Sequence, residues 1–410
     1  MDSLSGSEHP AASRPLSILP SSYLLRSLLI GSIISSPALF RSTLFLLDRF
    51  VHSSSPFLNL RNPFLRWVLR WTFYRQFCAG ENELEVRQTV ERFKRLGYHG
   101  VILSYAKETV VEDLPVGVPK EHSQQTIDEI GEWRNGSTRT VKLATADDFM
   151  TGAGALTMYH LTHNLAPPFL LEKAVHSLCD LAMESNIGIL IDAEESAVQS
   201  TIDSWTLDLQ RRYNKGHSSA VVYNTYQSYL KSTPATLARH LGVAQSEGFT
   251  LGVKLVRGAY IASEPSHLIW PTKEQTDACY DGLVAALLME EYNEMLRPLI
   301  GVDQRGVFPK VNVMIATHNQ ESVTKAVEIR ERVASEEDRD EEMAYAQLQG
   351  MADHLGCKLL QGTTEECVRF LMRRAGENRD AIDRTQDTRK ELVAELWKRV
   401  SLRQSWIHDS

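Results

Sequence analysis

Polar side chains interrupt runs of residues that otherwise look made for burial. Lys142 lies in TVKLATA (Thr140–Ala146), Asp192 in IGILIDAE (Ile187–Glu194), Asn224 in AVVYNTY (Ala220–Tyr226) and Lys254 in LGVKLVR (Leu251–Arg257). His318 ends VNVMIATH (Val311–His318) and is followed by Asn319. The host runs are short, rich in β-branched residues and without polar alternation, the pattern of strands buried on both faces. One polar residue in such a strand can be satisfied by a neighbour. Five together, within or near the C-terminal halves of their strands, are harder to explain structurally, because each buried charge needs a partner. In a parallel barrel the strand C-termini converge on one mouth, and the chemistry gathers there.

Two further groups bear on that chemistry. Thr363 and Glu366 have capping-box spacing, and the stripe Cys367, Phe370, Leu371 leads three or four residues on to Arg374, beside Arg373. An exposed Arg373–Glu377 pair accounts for Arg373 but not for Arg374, on the packed face. Two guanidinium forks at a barrel mouth suit a carboxylate ligand. The second group is Trp270-Pro271-Thr272-Lys273, with Thr276 one turn on. Free N–H groups, hydroxyls and a lysine at a helix start could cradle a phosphate, although a Thr-capped helix with a nearby Pro is common without one.

Positioning these residues requires the other elements. GVILSY (Gly100–Tyr105), AYAQLQ (Ala344–Gln349) and a weaker CKLL (Cys357–Leu360) complete eight candidate strands, and segments 169–186, 233–247, 274–297 and 320–333 have helix length and pattern between them. Eight β/α alternations predict a closed (βα)8 barrel of the TIM type. A doubly wound sheet is the alternative, lowered by the lack of a G-x-G-x-x-G after any strand. Residues 107–139 read as a polar insertion and 332–342 as a solvated acidic run. We divide the chain into an arm (1–60), the barrel (61–390) and a helical tail (391–410).

The 410-residue chain is long enough for one barrel with extensions. Its net charge of −8 and lack of a basic, aromatic-interleaved stripe argue against nucleic acid as a partner. Five scattered cysteines without C-x-x-C or Cys/His spacing argue against a disulfide framework or structural metal. Residues 16–50 are apolar but broken; the charge-free run Ser27 to Phe40 is shorter than the roughly 18–20 residues of a spanning helix. A peripheral membrane or barrel-covering role is expected. Asp2, Glu8 and the lack of early arginines leave a transit peptide unsupported.

The stretches FYRQFCAGE (73–81), IDAEE (191–195), YNTYQSYL (223–230), KLVRGAYIASE (254–264), ATHN (316–319), QLQGM (347–351) and RRAGEN (373–378) resemble the proline dehydrogenase family, particularly its fungal branch. The likeness runs in order from about residue 60 to about residue 380. It implies a distorted (βα)8 barrel with FAD at the strand C-termini and the last helix over the mouth. By this resemblance Asn224, Lys254, Val256, Gly258 and Ala259 line the flavin, and Thr272, Lys273 and Thr276 take its pyrophosphate and ribose. His318 and Asn319 match residues toward the adenosine side and the isoalloxazine edge. Lys142, Arg373 and Arg374 would clamp a substrate carboxylate, with Asp192 organising the cluster and Tyr260 and Leu348 walling the pocket. The implied reaction is hydride transfer from C5 of proline to flavin N5, with electrons passed to a quinone. The implied location is the mitochondrion, at its inner membrane.

The eighth strand departs from the family's Tyr-x-Pro-x-Gly. It reads Lys358-Leu359-Leu360-Gln361-Gly362, with Leu359 as the counterpart of the tyrosine. This leaves hydroxyproline or another cyclic imino acid as an alternative substrate. Two other readings stay open: a Schiff-base barrel using Lys142 or Lys254, and a non-catalytic barrel.

Overall fold

The computed structural model describes residues 19–53, 55, 57, 62–96, 98, 101–105, 118–143, 146–149, 151–216, 219–298, 308–333, 343–346, 357–361, 389–390, 392–399 and 401. The strands are β1 (Cys78–Gly80), β2 (Val101–Tyr105), β3 (Ala146–Phe149), β4 (Gly188–Ile191), β5 (Val222–Gln227), β6 (Leu251–Val256), β7 (Val311–Ala316), β8 (Met343–Ala346) and β9 (Cys357–Gln361). The helices are α1 (Ser21–Ile34), α2 (Pro37–His52), α3 (Pro63–Leu69), α4 (Arg75–Phe77), α5 (Glu83–Arg95), α6 (Gln124–Val141), α7 (Ala155–Thr162), α8 (Phe169–Glu184), α9 (Ser196–Tyr213), α10 (Thr233–Glu247), α11 (Lys273–Met289) and α12 (Gln320–Val333).

All strand pairings are parallel, in the order β1-β9-β2-β3-β4-β5-β6-β7-β8. The last strand therefore returns to pair with β2, as in an eight-stranded barrel, but its other edge is taken by the short β1. Among the described residues no pairing of β8 with β9 closes the curled sheet. Sequence patterning does not mark β1, because three residues are too few to carry a period.

Alternation along the strands separates two apolar layers. Val253, Leu255, Val313 and Ile315 point outward and pack with Leu237, Leu241, Leu283 and Leu287 of α10 and α11. Ile189, Ile191 and Val222 pack outward with residues of α8 and α9. The opposite face holds a smaller inner cluster of Ile102, Leu190 and Ala346, with Tyr223, Met314 and Ala316 against it. Burial on both faces explains the continuous apolar runs.

Two expectations are corrected. Residues 107–139 are not wholly an insertion, since α6 fills 124–141 and carries Ile130 and Trp133 into the core. Its buried stripe is completed by Thr126, Gly136, Ser137 and Thr140, residues too small or polar to reveal a helical period. Gly136 must be small: a Cβ there would lie 2.5 Å from the Tyr105 ring. The strand expected at Thr140–Ala146 begins only at Ala146, because α6 runs through Val141 and Lys142 is its C-cap. The 274–297 helix likewise stops at Met289, where Glu290 adopts a left-handed φ of 53°.

The arm and the tail meet each other. Tyr23 and Leu24 of α1 are buried with Leu392, and Arg399 donates to the Leu19 carbonyl (2.8 Å) and Ser21 Oγ (3.0 Å).

Candidate active site

The inward face of β6 carries Lys254, because its neighbours Val253 and Leu255 are committed to the outer layer. Lys254 is 5% exposed and lies in register between Thr225 of β5 and Met314 of β7. Its ammonium forms an ion pair with Asp192, one residue past the end of β4. A lysine of β6 and an aspartate just past β4 thus meet inside the barrel, at its C-terminal end. Among the described residues, the Thr225 hydroxyl beside Lys254 is buried without a hydrogen-bond partner. A buried polar atom left over next to a charged pair leaves capacity for a polar ligand.

The loops after β4, β5 and β6 are bound into one rim. Gln227, at the end of β5, donates to the Glu194 carbonyl (2.8 Å) and accepts from the Ala259 N–H (3.4 Å). Tyr260 donates its hydroxyl to Glu194 (2.5 Å), and the Glu194 N–H donates to Gln199 (2.7 Å). Glu264 accepts from the Tyr229 hydroxyl (3.2 Å) and from the backbone N–H (2.7 Å) and hydroxyl (2.5 Å) of Ser196, at the start of α9. Burial, then the Glu264 charge, pushes the Tyr229 phenol well up, so it stays a donor. Between these ties Gly258 has φ 133°. A Cβ there would lie 1.6 Å from the Tyr229 ring.

The start of α11 is tied to the same rim. Thr272 caps the helix by accepting from the Gln275 N–H (3.3 Å), and Thr276 is buried behind it. Lys273 is exposed and paired with Asp277. Asp277 also accepts from Arg257 (2.7 Å), whose other nitrogens reach Thr317 (2.5 Å) and Ser322 (2.8 Å) and whose guanidinium lies 4.3 Å from the Tyr280 ring centroid. Burial alone would raise the Asp277 carboxyl, but Lys273 and Arg257 outweigh it and hold the group below its ordinary range.

The structure redistributes the expected site residues. Lys254, Asp192, Val256, Gly258, Ala259 and Tyr260 come together around the rim, with Thr272, Lys273 and Thr276 at the adjoining helix start. His318 and Asn319 follow β7, and the Asn319 side chain accepts from the Ser322 N–H (3.2 Å), capping α12. Lys142 is a correction. It is the exposed end of α6, not an inward strand residue. Leu359 lies in β9 beside Leu103 of β2. Leu348, Arg373 and Arg374, with the Thr363–Glu366 capping box, lie outside the described residues.

Asn224 is a second correction. It points outward, 1% exposed, and donates to Asp203 of α9 (2.9 Å). Burial raises the Asp203 carboxyl above its ordinary value despite hydrogen bonds from Asn224 and Gln199. A carboxyl raised in the folded state contributes stability below the unfolded value near 3.8 that is lost as pH rises through the folded value. Asp203→Asn keeps Oδ1, the acceptor of both bonds. We expect it to raise Tm at pH 8 and to leave Tm unchanged at pH 3, measured by thermal melts across that range.

Gln227, Glu194, Glu264 and Arg257 were missed as site residues. Gln227 lies one residue past the predicted end of its strand. Arg257 was legible as the charge that closes the run LGVKLVR (Leu251–Arg257), between Lys254 and Gly258.

A parallel β/α barrel with charged and polar residues gathered at its C-terminal rim defines an enzyme of the barrel class. The proline dehydrogenase family model matches residues 86–387, about three quarters of the chain. The chain belongs to the proline dehydrogenase family, and with it to the oxidoreductases. It is 28% identical to the probable mitochondrial proline dehydrogenase of Schizosaccharomyces pombe, over 83% of this chain and 81% of that protein. It is 28% identical to the hydroxyproline dehydrogenase of Mus musculus (81% and 83%). It is 29% identical to mitochondrial proline dehydrogenase 1 of Caenorhabditis elegans, covering 80% of this chain but 54% of that one. Proline utilization A from Bdellovibrio bacteriovorus shares the fold, with a TM-score of 0.61 at 14% identity over 89% of this chain and 42% of that chain.

Proposed function

We propose that the chain oxidises L-proline to pyrroline-5-carboxylate with FAD bound at the rim, and passes the electrons to a quinone. The observation that carries this reading is the pairing of buried Lys254 with the partly exposed Asp192 at the strand C-termini, inside the family-matched residues and beside the unsatisfied Thr225 hydroxyl. When bound, FAD would supply a two-electron acceptor for the hydride leaving the ring carbon, with the ring nitrogen's proton passing to solvent as the C=N bond forms.

The chain's own residues supply position and charge. Lys254 places a cation against the inner end of the site, where negative charge develops on reduction, and Asp192 fixes its direction. Gly258 lets backbone approach closely, while Gln227 holds the Ala259 segment in place. Lys273 would exchange Asp277 for a phosphate at the start of α11, with Arg257 retaining Asp277. Tyr260, tied by its hydroxyl to Glu194, would present its ring as a wall of the substrate pocket. With Lys142 outside the barrel, the substrate carboxylate would fall to Arg373 and Arg374. The relatives' mitochondrial names support the same location for this chain, with peripheral attachment to a membrane.

Leu359 in β9, where the family carries tyrosine, favours a second reading in which a hydroxylated ring is accepted. Purified protein should show flavin absorbance that bleaches anaerobically with L-proline and recovers with a soluble quinone. Faster bleaching by 4-hydroxyproline than by proline would move the substrate to the second reading. Absence of flavin, or no bleaching by proline, hydroxyproline or pipecolate, would overturn both.

A further inference from the structure

Residues 36–76 hold six arginines (41, 49, 61, 66, 70, 75) and one acidic residue, Asp48, a net charge of +5 within a chain of −8. The same segment presents apolar side chains to solvent. On α2, Leu39, Phe45 and Leu46 are 53%, 67% and 50% exposed. On α3 and the π-helical turn that continues it (Arg70–Tyr74), Phe64, Trp67 and Trp71 are 72%, 62% and 47% exposed. Their spacing of three and four residues puts these rings on one helical stripe, and Phe64 stacks on Trp67 with centroids 6.3 Å apart.

The two elements form one surface. Leu47 of α2 is buried against Leu69 of α3, with Phe50, Leu65 and Phe73 packed alongside, so their outer faces adjoin. Arg66 and Arg70 are anchored to Glu81 at 2.6 and 2.5 Å, while Arg41, Arg49 and Arg75 are exposed. Among the described residues no single helix is long and apolar enough to cross a membrane; α1 and α2 reach that length and apolarity only together, as a pair bent by 100°. α1 turns Tyr23, Leu24, Arg26, Ser27, Ile30 and Gly31 inward, with Arg26 held by Gln76 (3.0 Å), and exposes Leu25 and Leu29 on its other face.

We propose that the outer face of α2, α3 and the π-helical turn is a docking surface for an anionic lipid bilayer, lying in the interface plane without spanning it. Two tryptophans, phenylalanines and leucines flanked by arginines match the chemistry of the headgroup boundary, where aromatic rings settle and cations meet lipid phosphates. A second copy of this chain would have to bring its own exposed Arg41, Arg49 and Arg75 against these, with Asp48 the one acidic residue of the segment. The charge therefore favours lipid over self-association. The inference deepens the peripheral attachment proposed above and rests on that reading, but its test does not pass through catalysis.

The full-length protein is mixed with phosphatidylcholine vesicles with and without phosphatidylglycerol, and bound protein is measured by flotation. Binding is expected only to the anionic vesicles, weakening as salt is raised. The triple variant Phe64→Ser/Trp67→Ser/Trp71→Ser and the pair Arg41→Glu/Arg49→Glu should each lose at least tenfold in binding. Their thermal melts and vesicle-free turnover with a soluble quinone should be unchanged. Tryptophan quenching by brominated lipid should fall in the triple variant. Equal binding of wild type and the triple variant overturns the proposal. So does wild type that ignores anionic vesicles, or a triple variant that only converts a dimer to a monomer by sedimentation. Failure of proline turnover with intact vesicle binding would sink the enzymatic reading and leave this surface standing.

Discussion

Lys254→Met is expected to slow flavin reduction by the substrate by about a hundredfold or more, with the flavin still bound, because a preorganised charge at the reacting centre is worth roughly 10²–10³ in rate. The side chain lies on the inward face of β6 and is 5% exposed. Methionine keeps the stem that fills the space between Thr225 and Met314, so the strand should hold its register. The loss falls on the ammonium. Asp192 is left without that partner, but its side chain is 32% exposed, so water limits the destabilisation. Lys254→Arg separates two chemistries. It keeps the cation and should retain part of the rate, whereas a Schiff-base lysine would lose all of it. Single-turnover anaerobic reduction measures the rate and the absorbance ratio measures flavin content. A Lys254→Met rate within a few-fold of wild type would remove Lys254 from the chemistry.

Gly258→Ala is expected to cost about 2–6 kcal/mol of stability, combining roughly 1–3 kcal/mol for a disfavoured backbone region with roughly 1–3 for overpacking. The φ of 133° is one that residues with a Cβ rarely adopt. The new methyl would also run into the Tyr229 ring, 1.6 Å away. That ring is 2% exposed and cannot retreat freely. Its N–H donates to the Arg257 carbonyl (2.7 Å), its carbonyl accepts from Trp270 (2.9 Å), and its hydroxyl reaches Glu264 (3.2 Å). Displacing it would move the loops after both β5 and β6, so flavin content should fall along with Tm. Adding Tyr229→Ala should recover the steric part and leave the backbone part, which a double-mutant cycle reads directly. If Gly258→Ala melts with wild type and keeps its flavin, the rim does not depend on this close approach.

Much of the fold was legible because a strand buried on both faces has a strong composition signal. The runs at 251–257 and 311–318 locate β6 and β7 to within two residues. The same signal hides which way each residue points. When both faces are apolar there is no alternation to read, and a single shift inverts the set. The charge of Lys254 marks it as a site candidate, and the structure packs its neighbours Val253 and Leu255 into the outer layer. Asn224 is a candidate by the same logic but satisfies Asp203 on the outer face, while Gln227, beyond the expected strand end, reaches the rim.

The amino-acid sequence alone determined that eight or so buried strands alternate with helices and that Lys254, Asp192 and the Gly258 segment belong to one family pattern. The first follows from local composition, and the second is what the family resemblance implies. The tertiary structure alone decided the pairing of Lys254 with Asp192, sixty-two residues apart in the chain, and the bridging of three loops by Gln227 and Glu264. It also placed Lys142 at a helix end instead of in the barrel. Each of those outcomes depends on which strands become neighbours and where one helix stops. Both are settled by packing across the whole sheet, and no window of the chain contains them.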